Sequence, residues 1–133
     1  MLKAWLSPKT DAAYALLRIV SGAMFAFHGM QKIFGVLSPM TPHFPQQVWF
    51  GGIIELVGGT LIALGAFTTC AAFVTSGQMA VAYVQFHWKL AFDSRFFPPI
   101  NKGELAILYS FLFLYIACRG AGIWSIDQRR KRG

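Results

Sequence analysis

Acidic residues are scarce in this chain of 133 residues, which has five aspartates and glutamates against 12 lysines and arginines. Charged residues make up 13% of the sequence, whereas a soluble domain contains about 25%. Glu55 is the only acidic residue between Asp11 and Asp93. It lies inside an apolar run with paired glycines on both sides. The composition therefore argues against a soluble surface and leaves one isolated carboxylate to be explained.

Cysteine and histidine are rare as well, with two and three copies. Cys70 and Cys118 form no Cys-x-x-Cys pair, and we interpret them as two small buried residues rather than a redox dithiol. The histidines, cysteines and acids show no ligand spacing, so no metal site is predicted. Haem, dinucleotide-binding and catalytic-triad motifs are also missing from the sequence. An independent enzyme is therefore a poor interpretation.

Long apolar stretches make up most of the chain, at residues 12–34, 48–67, 70–88 and 104–122. Each is close to the ~20 residues that a helix needs to cross the hydrocarbon core of a bilayer. All four tryptophans lie near the end of a stretch, where the indole ring can be buried while its N–H stays hydrated. We predict an all-α membrane domain over residues 1–133, an antiparallel bundle of four transmembrane helices.

Basic residues gather at the two ends of the chain. Lys3 and Lys9 precede the first stretch, and four more basic residues lie in the tail at residues 123–133. Four spans place both termini on one side, and the excess of lysine and arginine favours the cytoplasm. Topology then explains the net charge of +7, so the tail is predicted to be cytoplasmic and no nucleic-acid partner is expected.

Prolines mark the two loops on the opposite, outer side. Pro39, Pro42 and Pro45 lie in the first loop, residues 35–47, and resist a long helix there. We expect this loop to form an ordered cap on the membrane. In the second loop, residues 89–103, the sequence Phe96-Phe97-Pro98-Pro99 is expected to dip into the membrane interface.

Polar and small residues recur at helical spacing within the spans. Because lipid would not tolerate these groups, each set is predicted to face a common axis, and its glycines allow close approach of the helices. The predicted inward faces are Arg18, Ser21, Gly22, Phe25, His28, Gly29 and Lys32 in the first span; Gly51, Glu55, Gly58 and Gly59 in the second; Thr75, Gln78, Ala82 and Gln85 in the third; and Glu104, Leu108, Phe111, Tyr115 and Cys118 in the fourth.

Glu55 and His28 lie at matching depth, about 10 Å and about 9 Å from the outer ends of their spans. Lys32 lies one turn above His28, so either basic residue can pair with the carboxylate. We predict an outward-facing polar pocket for a headgroup, a proton or a quinone ring, and its candidate residues are His28, Lys32, Glu55, Gln85 and Glu104. A helix clamp without a ligand is the alternative, and His87 is interpreted as an interfacial residue.

Arg18 lies about 9 Å from the inner end of the first span. Its guanidinium stays protonated and needs acceptors. Glycines after Arg119 can free backbone carbonyls, so we predict that the chain beyond Gly122 folds back and that Asp127 or those carbonyls accept from Arg18. The predicted inner cluster is Arg18, Arg119, Ser125 and Asp127. In the alternative, the arginine side chain extends to cytoplasmic water.

Four groups of residues resemble the DoxX family of small four-helix membrane proteins, and the resemblance covers nearly the whole chain. They are Phe27-His28-Gly29-x-x-Lys32, Gly52-x-x-Glu55-x-x-Gly58-Gly59-x-Leu61, Asn101-x-Gly103-Glu104 and Gly120-x-Gly122-x-Trp124-Ser125-Ile126-Asp127. The family is named for subunits associated with quinol oxidase and thiosulfate:quinone oxidoreductase systems. The resemblance therefore implies a multi-pass protein of the bacterial cytoplasmic (inner) membrane that works with redox enzymes.

Three classes of function follow. The first is a non-catalytic or quinone-binding subunit associated with an oxidoreductase, which is preferred to an independent enzyme. The second is a transporter or binding protein for a small molecule or lipid that uses the same pocket. The third is a structural scaffold. The expected partners are the lipid bilayer and redox enzyme subunits; a quinone cofactor and a homo-oligomer are left open.

Overall fold

The computed structural model describes residues 1–38 and 46–132, and all regular secondary structure within these ranges is helical. The predicted cap with Pro39, Pro42 and Pro45 lies outside the described residues. The elements are α1 (Leu2–Leu6), a 3-10 turn (Ser7–Lys9), α2 (Thr10–Phe34), α3 (Gln47–Leu64), α4 (Thr68–Ala82), a π-helical turn (Tyr83–Trp88), a 3-10 turn (Ser94–Phe96), α5 (Pro98–Asn101), α6 (Glu104–Arg119) and α7 (Ile126–Arg130).

The four long helices α2, α3, α4 and α6 follow the four predicted apolar stretches. Three of them end earlier than expected: α4 passes into the π-helical turn after Ala82, α3 stops before Gly65 at φ +68°, and α6 stops before Gly120 at φ +82°. Glycine reaches these left-handed backbone angles without the clash that a Cβ would cause. In the described part of the chain, two helical stretches are long and apolar enough to cross a membrane, Leu2–Phe34 and Gln47–Leu64.

Helices α2 and α3 pack antiparallel through glycines on both sides of their interface. A Cβ on Gly22 would come within 2.5 Å of the Ala63 nitrogen, and one on Gly29 within 2.4 Å of the Leu56 nitrogen. On α3, Gly59 has the same relation to Ala26. The two backbones are therefore so close that a side chain larger than hydrogen does not fit at these three glycines, as the glycine pattern predicts.

The remaining contacts close the bundle around one aromatic core. Helix α4 packs antiparallel on both α3 and α6. The ring of Phe25 on α2 lies 4.8 Å from the ring of Phe113 and 5.3 Å from that of Tyr109, both on α6. These edge-to-face and tilted contacts join the first and fourth long helices.

The predicted inward face of α6 is wrong by about one residue. Leu108, Phe111 and Tyr115 are half or more exposed, and Cys118 is exposed too. The buried residues of α6 are Ala106, Tyr109, Phe113, Ile116 and Ala117. Because α6 has no charged residue between its ends, polarity does not determine which of its faces is buried. The packing of small and aromatic side chains determines it instead. Cys70 is exposed as well, so the predicted burial of both cysteines is wrong.

The glycine contact gives the first testable prediction. Gly29→Ala should lower the free energy of unfolding by about 2 kcal/mol or more, because the new methyl group meets backbone atoms that cannot turn away. Gly77→Ala is the matched control, since nothing lies within 4 Å of a Cβ at that helical position. It should leave stability unchanged or raise it by up to about 1 kcal/mol. The measurement is thermal unfolding in detergent; equal melting temperatures for both variants would contradict the close packing.

Candidate functional site

A cavity of about 540 Å³ lies at the outer end of the bundle. Side chains from α2, α3, α4, the π turn and α6 line it, and most of its wall is apolar. The residues that bring polar side chains to the wall are His28, Lys32, Gln47, Glu55, Gln78, Gln85, His87, Lys102 and Tyr109. The shape suits a molecule with a small polar group on a larger apolar body.

Glu55 is the buried charge of this cavity, with 1% of its side chain exposed. Its Oε1 accepts from the Lys32 Nζ, and the Gln78 Nε2 donates to the same oxygen at 3.2 Å. Gly52 makes room for this ion pair, because a Cβ there would lie 2.9 Å from the Cβ of Lys32. The lysine stem therefore runs along the backbone of α3 and carries its ammonium to the carboxylate.

Two buried oxygen atoms at this site have no hydrogen-bond partner among the described residues, the Glu55 Oε2 and the Gln78 Oε1. The Gln78 amide is oriented by its other end, since its Nε2 donates both to Glu55 and, at 3.0 Å, to the Gly51 carbonyl. Turning the amide round would point an oxygen at two acceptors. Both unpartnered atoms are therefore acceptors, on side chains that line the cavity.

The structure brings together four of the five residues predicted for the pocket. Lys32 pairs with Glu55, and His28 lines the cavity beside them. Gln85 also lines it and accepts from the Gln47 Nε2 at 2.8 Å. The expectation that Glu104 belongs here is wrong, because this first residue of α6 is exposed on the face opposite Ala106 and Tyr109. Ligand binding by the other four stays a prediction.

His87 lines the same cavity, which the interfacial interpretation missed. Its Nδ1 lies 3.2 Å from the Asn101 carbonyl oxygen, and its ring stacks on Tyr83. The reason is the π turn from Tyr83 to Trp88, in which hydrogen bonds run from i to i+5. Residues after such a turn fall on a different face from the one that 100° per residue predicts. Tyr109 was missed because the face of α6 was wrong.

Arg18 is the second buried charge, and it lies at the inner end of the bundle with no exposed surface. Its Nη1 donates to the Ile62 and Ala63 carbonyls at 2.7 Å each, at the end of α3. Its Nη2 donates to the carbonyls of Ile123 and Trp124, at 3.3 and 2.8 Å. The predicted return of the chain after Gly122 is thus confirmed, and carbonyls of the returning segment accept from Arg18. The two carbonyls of α3 were not predicted as acceptors. The C-terminal dipole of α3 adds to their attraction for a cation.

Asp127 was predicted as a possible acceptor for Arg18, but in the structure its carboxylate bonds the start of α4 instead. It accepts from the backbone N–H groups of Phe67 and Thr68 at 2.9 Å each and from the Thr68 hydroxyl at 2.8 Å. Burial acts to raise the pKa of this carboxyl, but the hydrogen bonds from Thr68 and Phe67 outweigh it and hold the pKa below its ordinary value of 3.8. Asp127 therefore caps the first turn of α4 and ties the tail to the α3–α4 hairpin.

The other two predicted members of the inner cluster separate. Ser125 is buried, and its hydroxyl donates to the Gly122 carbonyl at 2.7 Å and accepts from the Gln128 N–H at 3.2 Å, so it belongs to the returning chain. Arg119 does not contact Arg18. It donates to Asp11 at 2.6 Å, and its guanidinium lies 4.4 Å from the ring centre of Tyr14. The end of α6 is therefore tied to the start of α2.

At the outer site, Glu55→Leu should lower the free energy of unfolding by about 3–5 kcal/mol, because it leaves the Lys32 ammonium without its partner. Glu55→Gln keeps an acceptor for that ammonium and should cost clearly less. Glu104→Gln is the matched control and should change stability by no more than about 0.5 kcal/mol, since Glu104 is exposed. Thermal unfolding in detergent measures all three. Equal effects of Glu55→Leu and Glu104→Gln would contradict the buried pair.

At the inner end, Arg18→Lys should lower the free energy of unfolding by about 2 kcal/mol, because one ammonium cannot reach carbonyls on both sides as the forked guanidinium does.

Asp127→Asn should lower the free energy of unfolding by about 1 kcal/mol. Because the pKa of Asp127 is lowered by folding, its contribution is present above 3.8 and is lost as pH falls below that value towards the folded pKa. Melting temperature against pH tests this, and Asp127→Asn should flatten that acid limb. Unchanged melting of both variants would show that the tail is not held.

Known proteins share much of this sequence. The DoxX family model matches residues 13–88, more than half of the chain. A protein of Haemophilus influenzae (strain ATCC 51907 / DSM 11121 / KW20 / Rd), described as an uncharacterized protein, is 42% identical over 119 residues, covering 86% of this chain and 88% of that protein. No solved structure matches. The resemblance seen in the sequence is confirmed, and the chain belongs to the DoxX family of membrane proteins.

Proposed function

We propose that the chain spans the bacterial cytoplasmic membrane four times, with both termini in the cytoplasm. The surface of the helix bundle supports this, because large apolar side chains are exposed along α2, α4 and α6. Examples are Leu16, Val20 and Met24 on α2, Phe73 and Val81 on α4, and Leu108 and Phe111 on α6. So much contiguous apolar surface fits lipid and not water. The basic residues at both ends favour a cytoplasmic location for the termini.

Within that membrane, we propose that the chain binds a quinone-type lipid in the outer cavity as a subunit associated with redox enzymes. The observation that carries this proposal is the buried, ion-paired Glu55 at the polar part of a largely apolar cavity of about 540 Å³. A charged pair at bilayer depth is expensive, and intramembrane ionisable residues mark functional sites by default. A clamp between α2 and α3 would need no cavity beside it.

The lining fits the two parts of such a lipid. Phe25, Met79 and Tyr109 offer apolar and aromatic surface to a ring and the start of its chain. Lys32 offers N–H donors to a ring oxygen, and Glu55 and Gln78 offer acceptors to a ring hydroxyl. A bound quinone would supply a carrier of electrons and protons between membrane enzymes. The chain's own task would be to hold and orient the ring and to exclude water from it.

Passage of a substrate through the bundle is the second candidate, and the packing below the cavity disfavours it. Ile62, Phe113 and Ile116 have no exposed surface between the cavity and Arg18. Close-packed side chains of this kind leave no path for a polar solute. Binding at the outer end is therefore better supported than transport. Substrate flux in proteoliposomes would reverse that preference.

The proposal predicts that gently purified protein carries extractable quinone. Ala82→Phe should lower the quinone content at least about fivefold, because Ala82 lines the cavity and the larger ring occupies its volume. Ala80→Phe is the matched control on the same helix, with its side chain exposed outside the cavity, and should keep the wild-type content. The measurement is solvent extraction followed by chromatography, normalised to folded protein.

Two results would overturn the proposal. One is the absence of quinone above the level found with an unrelated membrane protein purified in the same way. The other is equal quinone content in Ala82→Phe and Ala80→Phe, which would mean that the lipid is bound elsewhere on the surface. Both variants should melt within a few degrees of the wild type, so that loss of the lipid is not loss of the fold.

A further inference from the structure

We infer that the cavity selects a neutral aromatic ring that carries two hydroxyl groups, the reduced form of a quinone-type lipid, over the corresponding dione. This inference rests on the proposed binding function and adds the chemical form that the site prefers. The structural basis is the pair of unpartnered acceptors on Glu55 and Gln78.

The two buried polar atoms of the site that have no partner in the described part of the chain both need donors. Among the described residues, the buried Glu55 Oε2 and Gln78 Oε1 have no partner, and both side chains line the cavity. Neither atom can be satisfied by a carbonyl oxygen, because carbonyls only accept. A ring hydroxyl donates its hydrogen and can meet either oxygen. The dione would leave both oxygens buried and unpaired, which is how sites reject an analogue that lacks a hydroxyl.

Lys32 is a donor beside the same carboxylate, and it does not favour the dione over the diol. Its ammonium has three N–H groups, and one of them is used on Glu55. A hydroxyl oxygen can accept from the lysine while its hydrogen is donated to an acceptor. The diol therefore satisfies Lys32, Glu55 and Gln78 together, whereas the dione satisfies only Lys32.

The ion pair disfavours lipid headgroups that carry a net charge of either sign. A phosphate or carboxylate would approach the Glu55 carboxylate, and an ammonium headgroup would approach the Lys32 ammonium. Since the two charges already neutralise each other, a neutral headgroup costs least. Neutral glycerol headgroups also carry two hydroxyls, but Phe25 and Tyr109 line the cavity and offer ring surface to an aromatic plane. An aromatic diol fits both features.

The test is anaerobic titration calorimetry of the purified protein in lipid nanodiscs with a short-chain benzoquinol and its benzoquinone. The Kd of the quinol should be at least about tenfold lower than that of the quinone. Gln78→Met removes one unpartnered acceptor at similar side-chain length, and it should bring the ratio down to about threefold or less, mainly by weakening the quinol. Glu55→Gln should act in the same direction, because its new amide can donate to a carbonyl.

Gln31→Met is the matched control. Gln31 lies next to Lys32 on α2 but does not line the cavity, so the ratio should stay at the wild-type value. Monoolein, a glycerol-headed lipid, is the competitor that tests the ring. If monoolein displaces the quinol at comparable concentration, the site recognises hydroxyl groups that are not on an aromatic ring, and the inference is overturned.

The remaining outcomes separate this inference from the proposal on which it rests. Equal or tighter binding of the quinone overturns the preference for the diol and leaves quinone-type binding standing. A preference that persists in folded Gln78→Met and Glu55→Gln overturns the assignment of the acceptors. Failure of both forms to bind the wild type, in nanodiscs that retain the native melting temperature, overturns the proposed function itself.

Discussion

The constraint that shapes this molecule is that a charge buried among apolar helices must be answered by groups from the same chain. The structure describes two such charges, and different kinds of groups bind them. Glu55 at the outer end is met by the cation of Lys32 and the amide of Gln78. Among the described residues, the hydrogen bonds of Arg18 at the inner end go to backbone carbonyls and not to a carboxylate. In the described part of the chain, the first solution leaves two acceptor oxygens without a partner beside a cavity, whereas the second leaves the Arg18 Nε without one among densely packed side chains. That asymmetry is the physical reason to place ligand binding at the outer end and structural support at the inner one.

Both solutions depend on the close contact of α2 and α3. The glycines of this interface bring the backbones together, so that Lys32 reaches Glu55 and Arg18 reaches the last carbonyls of α3 across one helix pair. A side chain at Gly29 or Gly22 would move the helices apart and lengthen both sets of contacts at once. The glycine pattern is thus part of the electrostatic design as well as of the packing.

The sequence allows much of this to be predicted, because lipid exposure penalises misplaced polar groups and so makes their spacing informative. The helices could be predicted from the apolar stretches, and the return of the chain to Arg18 from an isolated charge and glycines. The pairing of Glu55 with a basic residue of α2 could be predicted as well, but the choice between His28 and Lys32 stayed open. The prediction was wrong where that information ran out. Helix α6 has no charge between its ends, so its inward face was misjudged, and with it Glu104 and Tyr109. The position of His87 was missed because a π turn changes the helical phase, and nothing in the residue pattern shows where such a turn occurs.

The return of the tail to Arg18 has a consequence for how the protein is made. Ile123 and Trp124 supply two of the four acceptors of the guanidinium, and they are synthesised about a hundred residues after Arg18. Asp127 follows them and closes the start of α4. Until residues 123 and 124 have been synthesised, α2 carries a cation whose hydrogen bonds are incomplete. The inner end of the bundle therefore closes around Arg18 only after α6 and the segment that follows it have been made. The order of synthesis, and not only the finished fold, bears on how this charge is buried.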